Sequence, residues 1–361
     1  MTINTNYHSD LAIPPGEYLE EVIAELGLSK EELAQRMNRP AAKLSAIYKG
    51  DKAITPETAL QLEKVTGVPA HVWIGLETEY RLILAREKEK EHHCREKEYI
   101  TKFCYNDLVK YGFVDKTSRC EDKITQLYQF FGVTSLETIR DLNRYKVCFR
   151  AAKTQRSPEA LVAWLRMGEL RAREIHCRPF DAGLLKEKLP LIRKMTSQLP
   201  EEFIPVLKST LVDAGVAFVV IPHLPKTYAH GATYWINKQK AALLLSLRGS
   251  WADIFWFSLF HELGHILLHD SRYTFIEGEE NELQEEQYER EADTFAATTL
   301  IPPQKLQHFL NNEKPTKQSI TDLAKTIGIH PGIIVGRLQH EKIIENTWFN
   351  DLRKRYKWEI N

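Results

Sequence analysis

Between Trp256 and Asp270 the chain reads WFSLFHELGHILLHD, with His261 and His265 four residues apart and Glu262 beside the first. On a helix, positions i and i+4 project from one face. Two neutral imidazoles so placed can bind one Zn²⁺ with bonds of about 2.0–2.1 Å. Glu262 does not bind metal in this arrangement; it is placed to take a proton from an attacking water and pass it to the leaving amine. A hydrolytic zinc needs a third protein ligand and one open position. The stretch YEREADTFAATTLIPP supplies two candidates, Glu289 and Glu291. Glu289 shares a helical face with Ala292, Asp293 and Ala296, small residues that would let the helix press on its partner. Asp293 can accept a hydrogen bond from the second ring nitrogen of a ligand histidine. Glu291 shares its face with Phe295 and remains the alternative ligand. His269, one further turn along, could orient the site or face solvent, the second reading being favoured. In YAHGATYWIN, His230 and Tyr234 are candidates for contacting the substrate or its oxyanion, because extended peptides align along strand edges.

These groups need elements to hold them. AGVAFVVIPHL, GATYWIN and KAALLLSL are short, apolar, turn-bounded runs that read as strands. The metal-binding helix is expected from about residue 251 and a second helix from about 285. The acidic stretch from Glu277 to Glu286 between them is a candidate cover for the cleft, or a solvated loop. Residues 100–200 read as mostly helical, with Trp164 packing beside Leu161 and Leu165. Near the end, SITDLAKTIGIHPGIIVGRLQHE has a capped helix, a tight turn and a second apolar helix.

The same layout occurs near the start, in SKEELAQRMNRPAAKLSAIYKGD. Ser29 with Glu32 forms a capping-box pattern. Leu33, Ala34 and Met37 point inward, Asn38–Pro40 make a turn, and Leu44 and Ile47 point inward again. That is the rhythm of a helix-turn-helix, whose second helix enters the major groove of double-stranded DNA. Ala41, Ala42, Lys43 and Ser45 would face base edges, and Tyr48 and Lys49 the backbone. Residues 1–80 carry seven basic against twelve acidic side chains, yet from Arg36 to Lys52 five basic residues (Arg36, Arg39, Lys43, Lys49, Lys52) meet only Asp51. Positive charge gathers where phosphates must be met. A small basic patch on an acidic domain implies modest affinity, strengthened by a homodimer.

The chain has 361 residues, 43% hydrophobic and 27% charged, with a formal net charge of zero. Its length suggests two to four folded units, and total charge announces neither nucleic acid nor membrane. No apolar run approaches a membrane span, and the start lacks a basic region followed by an apolar run, so a cytoplasmic protein is expected. Five scattered cysteines, Cys94, Cys104, Cys120, Cys148 and Cys177, form no CxxC and read as reduced thiols. In REKEKEHHCREKE, adjacent His92, His93 and Cys94 point in different directions on a helix, which argues against a metal site there.

FWFSLFHELGHILLHD followed by EREADTFAATTLIP closely resembles the ImmA/IrrE metallopeptidases, over roughly residues 150–345. The resemblance carries the zinc ligands onto His261, His265 and Glu289 and the catalytic glutamate onto Glu262. It implies proteolysis of a regulatory protein, typically a repressor, in response to stress or DNA damage. The N-terminal block, through ITPETALQLEKVTGVPAHVWIGLETEYRL, resembles the XRE-type helix-turn-helix of HigA-family antitoxins and implies repression of its own operon and a toxin partner. The expected fold is α+β and predominantly helical. Its expected parts are a DNA-binding domain over 1–80, a helical connector over 81–195, a zinc peptidase core over 196–312 and a helix-turn-helix-like unit over 313–361. Two functions remain open: a regulator with a zinc endopeptidase that cuts a repressor, or an operon-repressing antitoxin whose zinc domain is a sensor or scaffold without protease activity. The intact Glu262 favours the first. General digestive proteolysis is disfavoured by the DNA-reading module.

Overall fold

A computed structural model describes residues 11–142, 157–227, 229–246, 251–269, 282–312 and 314–356, without the side chains of 90–92, 94 and 282–285. Cys148, the His92 and Cys94 side chains and most of the acidic stretch therefore lie outside the described residues. No helix among the described residues is long and apolar enough to cross a membrane. The chain divides into two units, Met1–Glu96 and Lys97–Asn361.

The first unit is all helical: α1 (Pro15–Glu25), α2 (Lys30–Arg36), α3 (Ala41–Tyr48), α4 (Pro56–Thr66) and α5 (Ala70–Arg95). Ser29 caps α2 by accepting from the Glu32 N–H at 3.0 Å. The Glu32 carboxylate does not return the bond, as a capping box would require, but pairs with Arg36 at 2.6 Å. Thr55 caps α4, Pro56 opens it, and Gly67 ends it in the left-handed conformation (φ 76°). Leu19, Leu33, Ala59, Leu62 and Trp73, all without exposure, form the core. Where α1 crosses α3, a Cβ on Gly16 would stand 2.3 Å from the Tyr48 Cα, so only glycine allows that approach. Glu77 of α5 accepts from the Ile54 N–H (3.0 Å) and from Arg81 (2.8 Å), and Arg81 donates to the Gly50 carbonyl (2.8 Å). This brace fixes the loop leaving α3.

The second unit is built on a three-stranded sheet of order β1-β3-β2, with β1 (Val216–Ile221), β2 (Gly231–Asn237) and β3 (Lys240–Ser246). β1 pairs parallel to β3 and β2 antiparallel, leaving β2 on an edge. The alternation of strand side chains divides two cores. Ala217, Val219, Ala242, Leu244 and Tyr234 face one side. There they meet α6 (Lys97–Lys102), α7 (Tyr105–Lys110), α8 (Cys120–Phe131) and α9 (Pro158–Glu174). The segment read as a connector thus shares a core with the sheet. Trp164 and Met167 of α9 have no exposure, and Gly168 leaves room for Leu244, which a Cβ would meet at 2.2 Å.

Val216, Phe218, Leu243 and Leu245 face the other side. α10 (Ala182–Lys194), α11 (Pro200–Asp213), α12 (Ala252–Leu268), α13 (Glu282–Leu300), α14 (Pro303–Asn312), α15 (Lys317–Ile327) and α16 (Pro331–His340) lie on this side. α12 is the expected metal-binding helix. Its Trp256, Leu259, Phe260 and Leu263 are fully buried, each contributing about 1.5–3 kcal/mol relative to exposure. α15 and α16 have the helix-turn-helix layout read from the sequence, with Thr316 as cap and Gly328 (φ 70°) at the turn. The second helix of that pair is not free: Ile333, Ile334, Val335 and Leu338 are buried in the core of α12.

The start of α12 is tied to residues 353–356. The Ala252 N–H donates to the Lys354 carbonyl at 2.9 Å, and Trp251 bridges Arg355. Arg353 grips the Asp253 carboxylate with two bonds, 3.1 and 2.7 Å, both side chains being almost out of solvent. The Trp256 indole N–H donates to the Tyr356 hydroxyl at 2.8 Å.

Candidate functional site

α12 and α13 pack face to face because small residues meet. A Cβ on Gly264 would stand 3.2 Å from the Ala292 Cα and 3.1 Å from the Phe295 ring, while Ala292 and Ala296 are fully buried. The close packing brings Glu289 over the α12 histidines. Its two oxygens lie 3.3 Å from His261 Nε2 and 3.4 Å from His265 Nε2, and those nitrogens are 2.9 Å apart. Among the described residues these three side chains form a group able to hold a metal ion, their ligand atoms all within 4.8 Å. Tetrahedral zinc with bonds of about 2.0 Å separates its ligand atoms by roughly 3.3 Å, so the donor set fits zinc. Two ring nitrogens facing each other at 2.9 Å repel unless a proton or a cation lies between them.

The electrostatics of the metal-free group are coupled. Burial alone would lower the His261 pKa, but the Glu289 hydrogen bond and the charges of Glu262, Glu289 and Asp293 raise it to about 9. Burial would raise Glu289, but hydrogen bonds from His261 and His265 pull it to about 2. Both values describe one imidazolium–carboxylate interaction.

Glu262 lies beside this group, buried, and its pKa is raised above the usual carboxylate range because burial outweighs the two nearby imidazoles. Thr233 of β2 donates its hydroxyl to Glu262 Oε2 at 2.6 Å. The β2 backbone comes so close that a Cβ on Gly231 would stand 2.5 Å from Glu262 Oε1. Gly231 and Thr233 were not singled out in the sequence; their signal is the two-residue alternation of a strand, which aims both at α12. Tyr234, one position between them and the next pair, points the other way. It is buried in the core on the far side of the sheet, which corrects its reading as an oxyanion contact. His230 stands at the rim. A cavity of about 570 Å³ opens here, lined by His230, Gly231, Phe257, Glu262, Glu289 and Arg337 among others.

Asp293 accepts at 2.9 Å from His261 Nδ1. Glu291 faces away from the group of three and lies 3.2 Å from His269 Nε2. His269 itself is not solvent-facing: its side chain is 5% exposed. Its third position on a four-residue spacing, after His261 and His265, was the available signal. Burial holds its pKa below the usual imidazole range.

In the first unit, Ala41, Ala42, Lys43 and Ser45 of α3 are exposed, as are Lys49 and Lys52. Arg36 is exposed beside Glu32, and Arg39 is held by Gln61 at 2.6 Å. Tyr48 departs from its reading as a DNA-backbone contact. It lies four residues after Leu44, on the inward face, is 9% exposed and has a buried hydroxyl. Burial first, then Glu20 and Glu31, push its pKa up to about 12. Its ring supports the Lys30 ammonium, 4.5 Å from the ring centre.

A helix-turn-helix family model matches residues 19–73, and a model of the IrrE N-terminal-like domain, a Peptidase_M78 family, matches residues 250–339. Virulence-associated protein I of Dichelobacter nodosus is 34% identical over 92 residues, 25% of this chain and 84% of that protein. The uncharacterized HTH-type transcriptional regulator YddM of Escherichia coli (strain K12) is 32% identical over 73 residues, 20% of this chain and 78% of that protein. Among solved structures, an addiction module antidote protein of a HigA family from Coxiella burnetii is 32% identical, with a TM-score of 0.22, over 24% of this chain and 94% of that one.

Proposed function

Because this chain belongs to the helix-turn-helix family through residues 19–73 and to the IrrE N-terminal-like metallopeptidase family through residues 250–339, we propose that it is a DNA-binding regulator of antitoxin type carrying a zinc endopeptidase that cleaves a repressor-type protein. The observation that carries the reading is the convergence of His261, His265 and Glu289 beside a buried Glu262. A carboxylate buried this deeply is costly, and Thr233 and Gly231 are spent on holding it. A site kept for shape alone has no use for it.

In this reading His261, His265 and Glu289 would hold the zinc. A bound zinc supplies Lewis acidity toward the scissile carbonyl and the attacking water. Glu262, its pKa raised by burial, accepts a proton as the water oxygen bonds to the carbonyl carbon. It returns that proton to the leaving nitrogen as the C–N bond breaks. The edge of β2 lies beside Glu262 and offers backbone groups to an extended substrate segment. Lys43, Ser45, Lys49 and Lys52, with Arg36 and Arg39 beside them, form the surface offered to the DNA operator, which a homodimer would read as two half-sites.

The test is Glu262→Gln in the full chain, assayed against the repressor-type proteins encoded beside it. One equivalent of zinc should be retained, while cleavage falls by about 10²–10⁴-fold, the usual worth of a general base. Equal proteolysis by wild type and variant would remove the enzyme and leave the antitoxin whose zinc domain serves as sensor or scaffold.

A further inference from the structure

The two imidazoles of the metal group are supported differently. His261 turns Nδ1 to the Asp293 carboxylate at 2.9 Å. His265 turns Nδ1 instead to Nδ1 of His269 at 3.0 Å, and His269 Nε2 lies 3.2 Å from a Glu291 oxygen. The helix ends at His269, whose backbone turns extended while its N–H still reaches the His265 carbonyl at 3.2 Å. The Tyr288 ring covers the imidazole, with centres 4.2 Å apart.

We propose that His269 and Glu291 are positioning residues that set the tautomer and angle of His265 for the metal. The inference rests on the zinc reading above. The hydrogens along the chain can be assigned in one way. For His265 Nε2 to offer a lone pair to a metal, its proton must sit on Nδ1. That proton needs an acceptor, and the nearest ring atom is His269 Nδ1, which then carries no proton. The His269 proton is therefore on Nε2, where the Glu291 carboxylate receives it. A carboxylate cannot donate, so the relay runs one way and excludes the opposite tautomer of both rings. Metal-bound histidines ordinarily pass the second N–H directly to a carboxylate or carbonyl; here a second histidine is interposed. Glu291, the alternative third ligand of the sequence reading, acquires a role two residues removed from the metal, behind His269 and His265. His269 is not a member of the group whose ligand atoms converge.

Zinc affinity of the full-length protein, measured by competition with a chromophoric chelator, tests this without reference to catalysis. His269→Ala and His269→Phe should weaken zinc binding by about 10–100-fold. His269→Asn should recover most of the loss, because its δ1 oxygen stands where the ring nitrogen accepted. Glu291→Gln changes a side chain that is 41% exposed, so the protein stays folded; its loss should be smaller, about 2–10-fold. Melting of the metal-free protein should not separate His269→Asn from His269→Phe, whereas zinc affinity should. Zinc binding by His269→Ala as tight as wild type overturns the proposal, and so does an Asn variant no better than Phe. Two zinc equivalents in wild type falling to one in His269→Ala would make His269 a ligand and overturn it as well. A wild-type protein that binds no zinc sinks the zinc reading itself, which separates that failure from this one.

Discussion

The DNA-reading helix and the metal-binding helix use their side chains in opposite ways. On and just after α3 the residues proposed to meet DNA, Lys43, Ser45, Lys49 and Lys52, are exposed and close together in sequence. On α12 Glu262 and His265 are buried, and the site draws on several other elements: Glu289 comes from α13, Thr233 and Gly231 from β2, and the start of the helix is held through Asp253 by Arg353. A surface built for reading DNA tolerates substitution of its charged residues without loss of fold. A centre that must hold a carboxylate out of water and bring several ring nitrogens together does not, because each group is a structural member as well as a reagent.

The contrast can be broken most directly at Arg353. Removing one member of a buried, bidentate ion pair leaves an uncompensated charge, so Arg353→Ala should cost about 3–5 kcal/mol of stability in denaturant titration. Arg36→Ala, which breaks only the exposed pair with Glu32, should cost no more than about 0.5 kcal/mol. Equal costs would erase the distinction. Gly231→Ala comes next. The added Cβ must displace the Glu262 carboxylate, and kcat should fall roughly 10–100-fold, the order expected for a misplacement near 1 Å, while zinc affinity stays put. A fall in zinc affinity with kcat intact would mean that the strand positions the ligands rather than the base.

The pH response of the metal-free protein sharpens the same point. His261 is raised to about 9, so its contribution to stability is complete below the ordinary histidine value near 6.5 and is lost as pH climbs through 9. Glu289 is lowered to about 2, so its contribution is present above the ordinary carboxylate value near 4.5 and is lost as pH falls through 2. Melting temperature without zinc should be highest between about pH 4.5 and 6.5 and decline toward 9, and zinc should abolish the alkaline decline; a flat profile would dissolve the coupling. The smallest effect belongs to the DNA side. Lys43→Ala with Lys49→Ala should leave melting unchanged and reduce the salt slope of operator binding by about 2, one for each lost phosphate contact. An unchanged slope would move the interface off α3.

How much of this was legible follows from the same contrast. The helix-turn-helix rhythm, the three strands and the metal-binding helix were readable because local periodicity and caps specify them. Ser29, Thr55 and Gly67 each stand at the end of a helix. His261, Glu262 and His265 were readable for the same reason, since one helix sets their spacing. What escaped was whatever depended on a second element. Glu289 was the ligand expected, with Glu291 as the alternative, and the packing of Gly264 on Ala292 brings Glu289 to the group; what escaped is that Glu291 faces His269. His269 carries the four-residue spacing, yet its burial comes from α13. Tyr48 and Tyr234 were assigned outward roles, although the face shared with Leu44 and the alternation of β2 put both in cores. The tie from Arg353 to Asp253 spans one hundred residues and leaves no local trace.

That tie has a consequence for the order of events in a newly made molecule. Synthesis delivers residues at about 5–20 per second. The helices of the first unit, closed by residue 96, are complete roughly 10–50 s before Arg353 emerges. Until then Asp253 lacks its partner, Trp256 lacks the Tyr356 hydroxyl, and the head of the metal-binding helix lacks its clamp. The nascent chain therefore carries its complete helix-turn-helix unit well before the helix that bears His261 and His265 has its full support.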